Sequence, residues 1–299
     1  WSSDVCSSDL RSCDFATGTV DEIVAAVDGL SAAGLGGLLL TLCSAPLDAY
    51  PEMLDRARAV RNLRPHAVLG VHLEGPFLGG APGAHPPSVV RPVDERFVDV
   101  LCREYADLVA LVTLAPEADP GFRAIRTLAA AGVRVALGHS TAGYEDARAA
   151  HEAGATLVTH LFNGMTPLHH RAPGLVGAAL TVPGLVPTVI ADFVHVDPVV
   201  VGLALGLRAE APVVSDEVAR DATHLEDGTL AGSAVSLPEI SSHLVRLGLG
   251  PARAVRHLAG NPARALGLTD RGRIAPGARA DLVALDPVTG AVRHVLPGG

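Results

Sequence analysis

Five polar residues each close a short apolar run of the chain, and their types suit metal binding and proton transfer. Glu74 follows GVHL, His139 follows VALG, His160 follows TLVT, His195 follows ADFV and Asp216 follows APVVS. Neutral imidazole nitrogens and a carboxylate are ligands for Zn²⁺ and similar ions, and a catalytic site needs three protein ligands plus an open position. The pattern therefore favours a hydrolase that uses a divalent metal ion.

Three of these residues supply that ligand number. We predict that Glu74, His139 and His160 bind the metal, and that Asp216 holds a water molecule, takes its proton and passes it to a leaving group. The competing interpretation makes each histidine a hydrogen-bonded core residue, but five polar residues at the ends of successive apolar runs favour one site. His72, two residues before Glu74, is expected to lie deeper, as a core residue or a support for the ligands.

The apolar runs have strand length and alternate with stretches of helix length, which is the rhythm of an α/β fold. Being apolar on both faces, the strands suit a TIM-like barrel, whose active site lies at the carboxyl ends of its strands. The predicted strands cover 36–42, 67–73, 109–115, 134–138, 156–160, 187–194 and 211–215. The predicted helices cover 20–33, 47–62, 93–105, 120–132, 143–153, 198–208, 237–248 and 250–258.

Only seven barrel strands emerge, and the first helix lacks the strand that should precede it. We therefore expect residues 1–13 to be a foreign or disordered leader, the first strand to be missing and the barrel edge to be unpaired. Residues 14–270 are expected to form the barrel. Residues 271–299 are predicted to be the C-terminal part of a small β-sandwich domain, since 281–286 and 292–295 have the pattern of extended segments.

Composition excludes several classes of function. The 299 residues carry a formal charge of −9, and all 23 positive residues are arginine, so no lysine is available for Schiff-base or P-loop chemistry. No basic stripe points to nucleic acid. Three prolines interrupt the uncharged stretch 172–191, which argues against a membrane span. Four scattered cysteines argue against a disulfide framework or a cysteine zinc site, and favour the cytoplasm.

The chain also resembles the N-acetylglucosamine-6-phosphate deacetylases of the amidohydrolase superfamily. The matching segments are GVHLEGPFLG (70–79), GAHPP (83–87), LGHSTA (137–142), THLFNGMTPLHHRAPG (159–174), DFVHVDP (192–198), VSD (214–216), GTLAGSA (228–234), NPARALGL (261–268) and RGRIAPGARADLVALD (271–286). The resemblance covers nearly the whole chain from about Asp14 to Leu296, and the HLEGPF and THLFNGM blocks together make it specific.

The resemblance implies a reaction and a set of roles. It implies hydrolysis of N-acetyl-D-glucosamine 6-phosphate to D-glucosamine 6-phosphate and acetate, with one divalent metal on the same three ligands and Asp216 as acid and base. It further implies that His85 polarises the acetyl carbonyl. The substrate contacts implied are Ala84, His85, Asn163, Gly164, Arg171, His195, Leu230, Ala231 and Gly232. The family also implies a homodimer, in which Arg171 reaches the neighbouring subunit's site.

Some departures keep alternatives open. The H-x-H pair that many amidohydrolases place after the first barrel strand does not occur before residue 66, so we expect one metal: Zn²⁺ by default, with Fe²⁺ or Mn²⁺ using the same ligands. Glu217, Arg220 and Asp221 replace a small, glycine-containing stretch after the acid/base. An N-acetylgalactosamine 6-phosphate deacetylase and a defective, non-catalytic sugar-phosphate-binding homologue stay open. Cyclic-amide or dipeptide hydrolysis is less favoured, because the expected phosphate contacts argue against it.

Overall fold

The computed structural model describes residues 3–4, 9–10, 13–218, 223–296 and 298. Most of the predicted leader 1–13 lies outside these ranges, and so do Arg220 and Asp221. The division into a leader, a barrel and a C-terminal β domain stays a prediction.

The described chain alternates strands and helices. The strands are β1 (Ser3–Asp4), β2 (Asp9–Leu10), β3 (Cys13–Asp14), β4 (Gly37–Leu42), β5 (Val68–Glu74), β6 (Val109–Leu114), β7 (Arg134–Leu137), β8 (Leu157–Val158), β9 (Val186–Pro187), β10 (Val189–Ile190), β11 (Val213–Val214), β12 (Leu282–Leu285) and β13 (Val292–Leu296). The α-helices are α1 (Val20–Ala33), α2 (Tyr50–Leu63), α3 (Glu95–Glu104), α4 (Arg123–Ala130), α5 (Tyr144–Glu152), α6 (Gly174–Thr181), α7 (Pro198–Leu207), α8 (Leu237–Arg246), α9 (Pro251–Val255) and α10 (Asn261–Ala265). A 3₁₀ turn covers Pro116–Ala118 and a π-helical turn covers Arg256–Gly260.

The strands from β1 and β4 to β9 form one parallel sheet in chain order. Only Thr188 separates β9 from β10, and β10 pairs in parallel with β11, so the parallel arrangement continues to the last predicted strand. Each of the seven predicted strands overlaps at least one of these strands. The expected α/β fold of the TIM-like barrel type is confirmed.

Apolar residues fill both sides of the sheet, as the apolar pattern of the strands predicted. Inside the curve, one residue from each of six strands meets in a buried cluster of Leu39, Leu111, Ala136, Leu157, Ile190 and Val214. Because β4 and β11 contribute to the same cluster, the sheet curls strongly enough to bring distant strands together. On the outer side, helices pack on the sheet; α1, for example, buries Ile23, Val27 and Leu30 at helical spacing.

The position of the expected missing strand is taken by a very short one. The backbone of β1 pairs in parallel with the start of β4, Ser3 opposite Gly37 and Asp4 opposite Leu38. The expectation of a wholly unpaired edge is therefore wrong for these two positions of β4. Since β1 spans only two residues, it had no periodic pattern by which the sequence could reveal it.

The helices begin and end where local chemistry dictates. Thr19 and Glu22 form a capping box at the start of α1, and Gly34, in a left-handed conformation, ends the helix. The tail forms an antiparallel hairpin of β12 and β13, close to the two predicted segments. Within the part of the chain that the structure describes, no helix combines the length and the apolar character needed to cross a membrane.

Candidate active site

Tight backbone turns at strand ends direct the predicted site residues towards the mouth of the barrel. Glu74 is the last residue of β5. His139, His160 and Asp216 follow β7, β8 and β11 within two residues, and their φ angles are 49°, 30° and 51°. These left-handed values are unfavourable for residues with a Cβ, and such strain clusters at functional sites. The backbone is thus held in costly conformations at two of the three predicted metal ligands and at the predicted acid/base.

The three predicted metal ligands meet at one point. The Nε2 atoms of His139 and His160 each lie 2.9 Å from Oε1 of Glu74, and 3.1 Å from each other. All three residues are buried. A carboxylate oxygen and two imidazole nitrogens packed this closely, away from water, need positive charge between them, from a proton or from a cation.

Hydrogen bonds at the far ring nitrogens distinguish the neighbouring histidines. Nδ1 of His139 lies 3.3 Å from the carbonyl oxygen of Ala81, so Nδ1 carries a proton, and Nε2 is the nitrogen that faces the cluster, where a cation can take its lone pair. His85 is different: its Nδ1 accepts from the backbone N–H of Ser44, so a neutral His85 carries its proton on Nε2, which lies 4.0 Å from Oε1 of Glu74. Glu74, His85 and His139 also offer ligand atoms within 4.8 Å of one another, but the His85 tautomer makes its Nε2 a donor.

The ligand atoms of Glu74, His139 and His160 are spaced to bind a divalent cation. Ligand atoms about 2.1 Å from one ion lie roughly 3.0–3.4 Å apart, close to the separations found among Glu74, His139 and His160. The Nδ1 atom of His160 is buried with no hydrogen-bond partner among the described residues. Two imidazole nitrogens and one carboxylate oxygen in a buried cluster match the ligand preferences of Zn²⁺, Fe²⁺ and Mn²⁺.

Burial and mutual contacts shift the pKa values in the cluster. Burial alone would raise the pKa of Glu74, but hydrogen bonds from His139 and His160 hold it well below its usual range. Burial would lower the pKa of His160, whereas the Glu74 carboxylate raises it to about 9. Burial lowers the pKa of His85 to about 4, so this ring is neutral at pH 7. The carboxylate thus attracts positive charge to the centre of the cluster.

The predicted acid/base has a different environment. Burial, followed by the charge of Glu74, raises the pKa of Asp216 to about 6. His195, at the end of the neighbouring strand, is held by Asp192, whose carboxylate lies 2.7 Å from its Nδ1. A carboxylate that changes its protonation state near neutral pH is suited to accept and return a proton.

His72 supports the cluster from below. It is fully buried, with Nδ1 3.2 Å from Oγ1 of Thr41 and Nε2 2.7 Å from Oγ1 of Thr113. Thr113 is in turn 2.7 Å from Oγ1 of Thr159, the residue before His160. The position of His72 agrees with the deeper, supporting place expected for it.

The cluster opens into a cavity of about 540 Å³. The lining includes these predicted site residues: Glu74, Ala84, His85, His139, His160, Asn163, Gly164, His195, Asp216, Leu230 and Ala231. Gly164 lies so close to the cluster that a Cβ there would be 2.7 Å from Nδ1 of His139. Arg171 and Gly232 are not among the lining residues: Arg171 is exposed beside His170, and Gly232 packs against Val218.

Sequence reasoning missed part of the lining. Additional lining residues are Cys43, Gly83, Pro86, Phe162, Ile190, Val218, Leu225 and Thr229. Phe162 has a φ of 80°, in the same tight loop as His160 and Asn163. Its place inside the THLFNGM block was the available signal. Leu225 and Thr229 belong to a polar loop whose path no periodic pattern predicts.

Most of the chain is similar in sequence to a protein family and to individual proteins within it. The amidohydrolase family profile matches residues 41–297. An N-acetylgalactosamine-6-phosphate deacetylase of Escherichia coli O157:H7 is 38% identical over 279 residues, covering 85% of this chain and 74% of the relative. An N-acetylglucosamine-6-phosphate deacetylase of Mus musculus is 36% identical over 290 residues, covering 85% and 70%.

Solved structures agree with the sequence relatives. The N-acetylglucosamine-6-phosphate deacetylase of Pasteurella multocida superposes with a TM-score of 0.93 at 26% identity, covering all of this chain and 84% of that one. The Mycobacterium smegmatis enzyme superposes with a TM-score of 0.88 at 33% identity, covering 99% and 85%. A variant of the latter, solved in complex with N-acetyl-D-glucosamine-6-phosphate, has a TM-score of 0.87.

The profile match, the level of identity and the superpositions all concern the part of the chain that carries the buried cluster. The chain therefore belongs to the amidohydrolase family and, within it, to the group of N-acetylglucosamine- and N-acetylgalactosamine-6-phosphate deacetylases.

Proposed function

We propose that the protein hydrolyses N-acetyl-D-glucosamine 6-phosphate to D-glucosamine 6-phosphate and acetate. The observation that carries the proposal is the convergence of Glu74, His139 and His160 within 3.1 Å, at the base of a cavity that Asp216 also lines. A buried cation-binding cluster beside a separate proton carrier is the equipment that amide hydrolysis requires.

Glu74, His139 and His160 would hold one divalent ion, with Zn²⁺ as the default for two imidazoles and a carboxylate. The chemistry supplied in such a site is polarisation of the amide carbonyl and a lowered pKa for an attacking water. The orientation of His139, with Nδ1 directed to the Ala81 carbonyl, supports this assignment.

Asp216 would carry the proton in the reaction, and His85 would stabilise the developing charge. With its pKa near 6, Asp216 is mostly ionised at pH 7, so it accepts a proton from the attacking water and passes it to the amine as the C–N bond breaks. Neutral His85 directs an Nε2–H into the cavity, where it donates to the acetyl oxygen as negative charge develops.

The remaining lining residues would bind the sugar phosphate. Ala84, Asn163, Gly164, His195 and the Leu230–Gly232 segment surround the cavity or flank its wall. No arginine lines it within the described residues, although a phosphate favours one. We therefore keep the homodimer as part of the proposal, with exposed Arg171 contacting the substrate of the neighbouring subunit.

The free cysteines at 13, 43 and 102 agree with a cytoplasmic setting.

The galactosamine epimer is the second candidate. The Escherichia coli relative at 38% identity carries the N-acetylgalactosamine-6-phosphate name, while the mouse relative at 36% carries the glucosamine name. The two substrates differ in the orientation of one hydroxyl, and a polar group that bonds only one orientation decides between them.

Acetate release from both epimers, measured with wild type and Asp216→Asn in added Zn²⁺, tests the proposal. We expect release by the wild type, with one epimer preferred, and a loss of release in the variant. If the wild type releases no acetate but binds the sugar phosphate, the protein is a non-catalytic binding homologue and the proposed reaction is wrong.

A further inference from the structure

Glu117 connects three loops at the mouth of the barrel, although no role was assigned to it from the sequence. It lies in the 3₁₀ turn after β6, and its side chain reaches the loops after β5 and β7. Oε1 accepts from the backbone N–H of Thr141 at 2.7 Å, from its hydroxyl at 3.3 Å and from the N–H of Gly80 at 3.3 Å. Oε2 accepts from the hydroxyl of Ser140 at 2.5 Å. Charge-assisted hydrogen bonds of this kind are stronger than neutral ones.

The groups that Glu117 holds flank His139 on both sides. Ser140 and Thr141 follow His139 directly in the chain. On the other side, the N–H of Gly79 donates to the carbonyl oxygen of His139 at 2.8 Å, and the carbonyl of Ala81 lies 3.3 Å from its Nδ1. One carboxylate therefore fixes both the segment that carries His139 and the segment that contacts its ring.

Gly79 leaves the space that Glu117 occupies. A Cβ built on Gly79 would lie 1.9 Å from Oε1 of Glu117 and 2.3 Å from its Cδ. Real Cβ atoms do not approach other atoms so closely, so an alanine at 79 would force the carboxylate out of its place. The φ of Gly79 is not in the left-handed region, so the backbone itself accepts alanine.

We propose that Glu117 is a positioning residue for the candidate metal centre. By holding Gly80 and Thr141 together it keeps the Ala81 carbonyl on Nδ1 of His139, which fixes a proton on Nδ1 and keeps Nε2 directed into the cluster, where its lone pair can bind a cation beside Glu74. The inference rests on the proposed function, because it is for a cation that this lone pair is needed. A partner behind a ligating histidine typically affects metal affinity by about 10–100-fold.

The variants Glu117→Ala, Glu117→Gln and Gly79→Ala separate positioning from general stability. In Glu117→Ala all four hydrogen bonds are lost. In Glu117→Gln the amide oxygen keeps the donors of Gly80 and Thr141, so this variant is expected to recover most of the wild-type behaviour. Glu95→Ala is the matched control, since Glu95 forms an exposed ion pair with Arg123 on a helix surface.

Two readouts test the positioning role directly. Zn²⁺ affinity, measured by competition with a chromophoric chelator, should fall about 10–100-fold in Glu117→Ala and Gly79→Ala, and should be unchanged in Glu95→Ala. The double variant should be no weaker than Glu117→Ala, because Gly79 acts through Glu117. In the metal-free protein, ¹⁵N spectra of the histidine rings should show His139 losing its preference for the Nδ1–H tautomer. The kcat should fall while KM changes little.

The outcomes separate the two proposals. If Glu117→Ala lowers the melting temperature but leaves Zn²⁺ affinity and the His139 tautomer as in wild type, Glu117 only stabilises the loops and the inference is wrong. If the wild type binds no metal and releases no acetate, the proposed function fails; the ring spectra of the metal-free protein still decide whether Glu117 orients His139.

Discussion

The carboxylate of Asp192 holds His195 with two hydrogen bonds and the residue before it with a third. It accepts from the backbone N–H groups of Val194 and His195 at 2.9 Å each, and lies 2.7 Å from Nδ1 of the His195 ring. His195 lines the same cavity as Asp216. The arrangement lies at the end of β10, where the chain turns away from the sheet.

Replacing Asp192 by asparagine should remove a pH-dependent contribution to stability. Burial alone would raise the pKa of Asp192, but the hydrogen bonds from His195 and Val194 lower it from 3.8 to about 2. Because the folded-state pKa is the lower one, the stabilisation is present above about pH 4 and is lost as the pH falls from 3.8 towards 2. Denaturant unfolding of the chelator-treated protein should be measured from pH 7 to pH 3. The difference in the free energy of unfolding between wild type and Asp192→Asn should become smaller as the pH falls. Asp99→Asn, on an exposed helix position, is the control; a gap of constant size would contradict the assigned pKa.

Asp216→Asn should abolish deacetylation and leave the fold intact. The amide cannot accept the proton of the attacking water, so acetate release should fall by at least about 100-fold. The side chain keeps nearly the same volume, so the melting temperature and Zn²⁺ affinity should stay near those of wild type. Steady-state acetate release and thermal melting of the same samples check both parts. Release within threefold of the wild type would exclude Asp216 as the proton carrier.

The sequence located the strand-end residues because parallel strands place their carboxyl ends at one edge. Glu74, His139 and His160 are far apart in the chain, yet the strand pattern alone indicated that they meet. The same reasoning extends to Glu117, which is the first ionisable residue after β6. The sequence alone does not single out Glu117, because one glutamate after a strand does not by itself indicate a metal ligand or a nucleophile.

Other elements lack the hydrophobic periodicity from which a helix or strand is predicted. Helix α6, with the sequence GLVGAALT, is buried on nearly every side, so it has no polar face and no helical period. The two-residue strand β1 is too short to show alternation. Arg171 was expected to contact a substrate, but it is exposed and does not line the cavity.

Metal removal should destabilise the protein, and Glu74 should be necessary for the effect. A ligand at 100 times its dissociation constant stabilises the folded state by about 2.7 kcal/mol. Zn²⁺ should therefore raise the melting temperature of the chelator-treated wild type and restore acetate release. Glu74→Gln loses the charge that attracts a cation, so its melting temperature should barely respond to Zn²⁺. The exposed Glu104→Gln serves as the control, and an equal response in both variants would remove Glu74 from the ligand set.

His72→Ala should weaken the barrel from inside, without direct contact with substrate. The change removes a fully buried ring and leaves the hydroxyls of Thr41 and Thr113 without their ring partners. Loss of packing and unsatisfied polar groups together predict a decrease of about 3 kcal/mol in the free energy of unfolding. Equilibrium unfolding in urea measures this change, with exposed His66→Ala expected within about 0.5 kcal/mol of wild type. Because Thr113 also contacts Thr159, next to His160, Zn²⁺ affinity should fall in His72→Ala as well. A loss below about 1 kcal/mol would mean that the polar layer under the site contributes little to the stability of the barrel.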